Sequence, residues 1–186
     1  MRIRRVEKNR LRTILPVALL LSLALTAEPV GGEMEEYRVK ALFLYNFTQF
    51  IEWPVDSFRD ATESLTICVV GPTPFETGEL ERAIVGKRID SHPLATRVIR
   101  EAKEAGGCHI VFVSAASVKK GKGVVTDPNQ IGVLTVGEVP GFASSGGVIN
   151  FLVRDGRVRL EINVTSAERG KLHVSAKLLK LAEIVK

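Results

Sequence analysis

The chain has 186 residues, with 26 Lys and Arg against 21 Asp and Glu for a formal net charge of +5. Six of those basic residues and one of the acidic ones fall in the first 27 positions, so residues 28–186 carry 20 of each and no net charge; the usual inference from a basic protein to a nucleic-acid partner fails. Two cysteines and three scattered histidines offer no metal-ligand spacing.

Residues 1–27 carry the marks of a secretory signal peptide. Arg2, Arg4, Arg5, Lys8, Arg10 and Arg12 form a basic region, Ile14–Leu25 is an apolar run, and Leu25-Thr26-Ala27 ends on a small residue suited to cleavage. A membrane span needs roughly 20 apolar residues, and this run, with Pro16 inside it, falls short. Export with cleavage would leave residues 28–186 as one domain able to bury its own core, with no repeat, linker or low-complexity tract to divide it.

The first element is the richest. Tyr37–Trp53 (YRVKALFLYNFTQFIEW) holds six of the eleven aromatic residues. Val39, Leu42, Phe43, Asn46, Phe47, Phe50 and Ile51 follow the spacing of one helical face, and Pro54 ends the helix. Leu65–Val70 (LTICVV) reads as a strand buried on both faces, followed by Gly71-Pro72-Thr73-Pro74 and a helix within Phe75–Val85. Neither a phosphate-loop lysine nor a dinucleotide-binding glycine pattern is present. Arg88–Ile89 and Ala95–Ile99 are extended by composition, with His92-Pro93 as a turn or kink between them. A short helical piece at Glu101–Ala105 then precedes the strand His109–Val113.

Ser114–Lys120 suits a helix. Lys119, Lys120 and Lys122 with their glycines form a solvated loop, and Asp127-Pro128-Asn129 a turn. Gly132–Val136 is the third apolar strand, and the alternation of strands and helices argues for a largely parallel sheet. Pro140–Ala143 makes one helical turn. Val148–Val153 and Val158–Val164 flank Arg154-Asp155-Gly156-Arg157, a strong hairpin signal. On the second of these strands Arg157, Arg159, Glu161 and Asn163 form a polar row opposite Val158, Leu160 and Ile162. Ser166–Arg169 can form a helical turn, and Ser175–Val185 reads as a closing helix. The fold class is therefore α/β: a single three-layer domain, its sheet mixed but mostly parallel, with helices on both faces and a C-terminal antiparallel hairpin.

Cys68 lies inside one apolar strand and Cys108 opens another. An oxidising compartment favours one internal bridge, with two buried thiols or a bond between chains as alternatives. A bridge requires neighbouring strands, because paired Cα atoms lie within about 7 Å. Of catalytic patterns there is no G-x-S-x-G elbow and no paired His and carboxylate at motif spacing. His92 and His109 read as a turn residue and a satisfied strand-end residue. His173, close in sequence to Lys171 and the polar row, marks a basic corner that could receive a carboxylate from a partner or a small ligand.

The blocks VKALFLYNFTQFIEWP at Val39–Pro54, CHIVFVS at Cys108–Ser114, and the long run Gly132–Val185 resemble the YfiR-like periplasmic proteins. That resemblance implies a non-enzymatic α/β domain without a cofactor that tends to form homodimers. It also implies repression of an inner-membrane diguanylate cyclase, or another membrane signalling protein, through the periplasmic sensor domain, and sequestration by an outer-membrane peptidoglycan-binding lipoprotein. Cys68 and Cys108 match positions that are bridged in the family, while Ile162, Lys171 and His173 fall near its ligand and partner corner. The partner-facing set is thus Arg159, Glu161, Ile162, Asn163, Lys171 and His173. Two departures stand out: Leu160 replaces an expected Phe, and Gly170-Lys171 replaces an expected Ala-Gly, so that the helix-ending glycine comes one residue early. A second reading of the whole is a periplasmic small-ligand sensor module coupled to a kinase or transporter.

Overall fold

A computed structural model describes residues 30–121 and 130–186. The leader expected at 1–27, Lys122 and the turn expected at Asp127–Asn129 lie outside the described residues. Residues 34–186 group as one compact unit, which carries the sheet.

In chain order the elements are α1 (Val30–Phe50), β1 (Ile51–Glu52), β2 (Leu65–Val70), α2 (Glu79–Ile84), β3 (Arg88–Ile89), β4 (His92–Ile99), β5 (Ile110–Val113) and α3 (Ala115–Lys119). They continue with β6 (Leu134–Gly137), β7 (Ile149–Arg154), β8 (Arg157–Asn163), α4 (Val164–Arg169), β9 (His173–Val174), α5 (Ala176–Leu179) and β10 (Ala182–Val185). An eight-stranded sheet runs β10-β8-β7-β6-β5-β2-β4-β3, and β1 with β9 forms a separate two-stranded ribbon. Strands β4, β2, β5, β6 and β7 are mutually parallel, β8 returns antiparallel to β7, and β10 lies parallel to β8.

The chain leaves β2 toward β4 and later crosses β5, β6 and β7 in the opposite direction. The right-hand rule for parallel crossovers then assigns α2 to one face and the later connections to the other. Two apolar clusters agree with it. On one face Leu44 and Phe47 of α1 and Leu80 and Ile84 of α2 pack on Ile67, Phe112, Leu134, Ile149, Phe151, Leu160 and Ile162. Phe47 stacks on Phe151 at 5.8 Å between ring centres, and Phe112 lies between Phe151 and Phe75. On the other face Phe142, Ala102 and Ala105 cover Cys68, Val70, Val111 and Val113. Burying each large side chain of this kind stabilises the fold by about 1.5–3 kcal/mol. Cys68 of β2 and Cys108, in the turn that leads into the adjacent strand β5, are joined, with Cα atoms 5.8 Å apart.

Several elements differ from the sequence expectation. The helix of the aromatic block ends at Phe50, and Ile51 and Glu52 pair with Val174 and His173. Its buried stripe is Lys40, Ala41, Leu44, Phe47 and Thr48, while Leu42 is 48% exposed. The face is turned by one residue position, on the order of 100°, because Lys40 and Thr48 count as outward residues by type but face inward. His92-Pro93 lies within β4, and the turn falls at Asp90-Ser91. Pro93 is tolerated there because its partner β3 is a short edge strand. The closing helix is only Ala176–Leu179. Beyond it Ala182 and Ile184 alternate with Glu183 and Val185 and complete the ladder that β8 would otherwise leave open.

Candidate functional site

The six residues expected to face a partner do not form one surface. Arg159 is exposed on β8. Glu161 is half-buried and accepts a 3.0 Å hydrogen bond from Asn150 Nδ2. Ile162 is a correction: it has no accessible surface and belongs to the core under α1. Asn163 is a second one. Its Oδ1 accepts from the Ser166 N–H at 2.9 Å and caps α4, while its Nδ2 donates to the Ala143 carbonyl at 2.9 Å. The polar row reaches solvent only at its Arg157 and Arg159 end.

Lys171 and His173 are exposed, but elsewhere. Gly132, just before β6, donates to the Gly170 carbonyl at 2.8 Å, which ties this corner to the amino end of the parallel strands. Arg159 pairs with Leu152, two residues past the Asn150 that pairs with Gly137 at the opposite end of β6. About seven residues of strand rise separate the two levels, roughly 20 Å. The corner itself is shaped by the early glycine. Gly170 has an ordinary φ of −75°, and Lys171 takes the left-handed conformation with φ 56°, at a cost of roughly 1–2 kcal/mol for a side chain with a Cβ.

The same end of the sheet carries a feature that no sequence motif announced. The Phe58 ring is sandwiched between His92 at 3.8 Å and His109 at 4.4 Å. His109 Nδ1 accepts from the Thr66 N–H at 3.1 Å, so the neutral ring carries its proton on Nε2, which donates to the Ser57 carbonyl at 3.0 Å. Burial holds the His109 pKa below the ordinary histidine value, against the raising effect of that bond to Ser57. Trp53 Nε1 donates to the His109 carbonyl at 3.4 Å. One cleft of about 490 Å³ lies on the Trp53 and His92 side, bounded by Glu52, Phe58, Arg88 and Asp90. A second, of about 840 Å³, is lined by Ser57, Arg59, Thr66, Arg97 and Gly107. Ser57 Oγ in its wall is buried without a hydrogen-bond partner among the described residues.

At the carboxyl ends of the strands lies a buried charge cluster, also invisible in the sequence. The Lys40 ammonium, 3% exposed as a residue, contacts Glu138 at 2.7 Å and Glu36, and sits 4.6 Å from the Tyr37 ring centre. Glu138 further accepts from the Tyr37 hydroxyl at 3.1 Å and the Ala115 N–H at 2.8 Å. With its lone pairs satisfied in this way the pair fastens α1 to β6 and α3. Its roles are structural.

Among the described residues no group of three His, Cys, Asp or Glu side chains is placed to hold a metal ion, and no helix is long and apolar enough to cross a membrane. The class is that of a disulfide-tied, mixed α/β domain with an aromatic and imidazole-lined end and two clefts. The chain belongs to the YfiR/HmsC-like family, whose sequence profile matches residues 37–183. Among solved structures eight chains match. One is the ABC domain in complex with L-Trp from Streptococcus pneumonia, 12% identical with a TM-score of 0.46, the match covering 65% of this chain and 55% of that one. A search of curated proteins returns no match.

Proposed function

We propose that this is an exported, non-enzymatic regulator that binds the periplasmic sensor domain of an inner-membrane diguanylate cyclase and represses it, so controlling cyclic di-GMP signalling and biofilm formation. Family membership over residues 37–183 is the observation that carries the reading. The mechanism is a population shift: the regulator favours the cyclase's inactive state by its higher affinity for that state. The exposed Lys171 and His173 corner is the proposed contact, since neither side chain belongs to a buried network. A homodimer is the proposed working form, and an outer-membrane peptidoglycan-binding lipoprotein the partner that withdraws it. Deleting the gene should raise cellular cyclic di-GMP, and unchanged nucleotide levels would remove the cyclase from the account.

A second reading is a small-ligand sensor module coupled to a kinase or transporter. It is favoured by the cleft beside Trp53, Phe58 and His92, whose size of about 490 Å³ lies in the range of small-molecule sites. A thermal-shift screen of metabolites supports it if one stabilises the protein, and counts against it if none does.

A further inference from the structure

The neutral balance of residues 28–186 conceals a segregation of charge. Residues 154–186 hold eight basic and four acidic side chains, against twelve and sixteen in residues 28–153. Two of those four acids are already engaged, Glu183 with Arg154 and Glu161 with Asn150. Arg157, Arg159, Lys180 and Lys186 have no carboxylate partner among the described residues, and all four are exposed.

These cations share one edge of the molecule. Strand β10 is the last in the sheet and pairs only with β8, its Ala182 opposite Leu160. The helical turn at Lys180 and Leu181 leads directly into that first pair, so it lies near the Arg159 end of β8, with Lys186 beyond the other end of the strand. The same edge carries two protruding aliphatic side chains, Leu181 at 68% and Ile184 at 53% exposure. Charged residues alone would be explained as guards against edge-to-edge pairing. Such guards do not call for large apolar side chains standing among them.

From this arrangement we infer that the β8–β10 edge docks on an anionic phospholipid surface, with Arg157, Arg159 and Lys180 at headgroup level and Leu181 reaching toward the acyl boundary; Ile184, opposite Ile162, points to the α1 side of the sheet and takes no part. Cations spread over a hairpin and a turn suit a planar, diffuse anion layer better than a fixed carboxylate on a protein. Each Lys or Arg near such a surface strengthens binding about fivefold, an effect screened by salt. Leu181 adds an apolar contribution that salt does not screen. The inference does not depend on which protein the regulator binds, and it would confine the search for that protein to the membrane plane.

Vesicle flotation tests it, with phosphatidylcholine vesicles with and without phosphatidylglycerol as the probe. The purified protein should float only with phosphatidylglycerol and lose most of that binding at high salt. The variant R157A/R159A/K180A should bind at least roughly tenfold more weakly, Leu181→Ser should weaken binding severalfold, and K119A/K120A should bind like the wild type. Wild type and variants are purified in the exported form, residues 28–186, so that the basic and apolar run at 1–27 takes no part in vesicle binding. Unaltered binding by the triple variant, or equal binding to vesicles without phosphatidylglycerol, overturns the inference. Binding of poly-L-glutamate without binding of vesicles overturns it too, in favour of an acidic protein surface. Melting temperatures of the variants within a few degrees of the wild type exclude misfolding, since exposed side chains contribute little stability.

Discussion

Lys40 shows how much one side chain settles. A lone ammonium in its position would be strongly destabilising, and Glu138 and Glu36 make it tolerable. Lys40→Met should therefore lower stability by about 3–5 kcal/mol, because it leaves buried Glu138 without its cation. The double variant K40M/E138Q should recover part of that loss in urea unfolding; strictly additive costs would mean that the two residues do not act as a pair. His109 makes a prediction about pH. Its neutral form is built into the fold and its pKa is depressed by burial, whereas in the unfolded chain it takes up a proton near pH 6.5. Below about that pH the unfolded state binds more protons, so the contribution is complete at neutral pH and is lost as pH falls toward the folded value. His109→Gln should be less stable at pH 7.5 and should lack this component of the acid-side decline. Parallel pH curves for the two proteins would contradict the assignment. Lys171 carries left-handed backbone where glycine is at ease. Lys171→Gly should raise stability by roughly 1 kcal/mol while weakening repression, a combination that a merely structural lysine would not give.

Among the elements, the turn between β6 and β7 is the tightest. A Cβ on Gly137 would lie 2.3 Å from the Phe142 ring and one on Gly147 would lie 2.2 Å from it, so the ring sits on two bare backbones. Gly147→Ala should lower the urea midpoint, with a cost of about 1–3 kcal/mol from overpacking; a cost near zero would mean the ring has room to move. Legibility in the sequence follows the same physics. The central strands were readable because Leu65–Val70 and Ile110–Val113 are apolar on both faces, and the hairpin because Asp155-Gly156 sets its turn. The orientation of α1 was not, since nothing local says that Lys40 meets Glu138, 98 residues away. Nor was β10: its residues fit a helical stripe as well as an alternating one, and the open ladder of β8 decides between them. For the candidate site, the exposure of Arg159, Lys171 and His173 followed from their types. The burial of Ile162 and Asn163 required knowing what covers each side of β8.

At the scale of the whole molecule, the sheet has a structural end and an open end. The carboxyl ends of the parallel strands, where open α/β sheets usually bind ligands, are closed by α1 through Tyr37, Lys40 and Glu138. The clefts, the histidine and phenylalanine stack and the Lys171 corner lie at the amino ends instead. The disulfide ties β2 to β5 at the middle of the sheet across 40 residues of sequence, which on the chain-entropy account stabilises the fold by roughly 4 kcal/mol. A rigid frame of this kind suits a protein that acts by presenting a surface. Turnover of GTP by a membrane-reconstituted diguanylate cyclase, the proposed partner, with increasing amounts of the purified protein on its periplasmic side, tests that account most directly. A saturable fall in cyclic di-GMP formation, weaker with Lys171→Gly, is the expected result. Turnover unchanged at every concentration would contradict it.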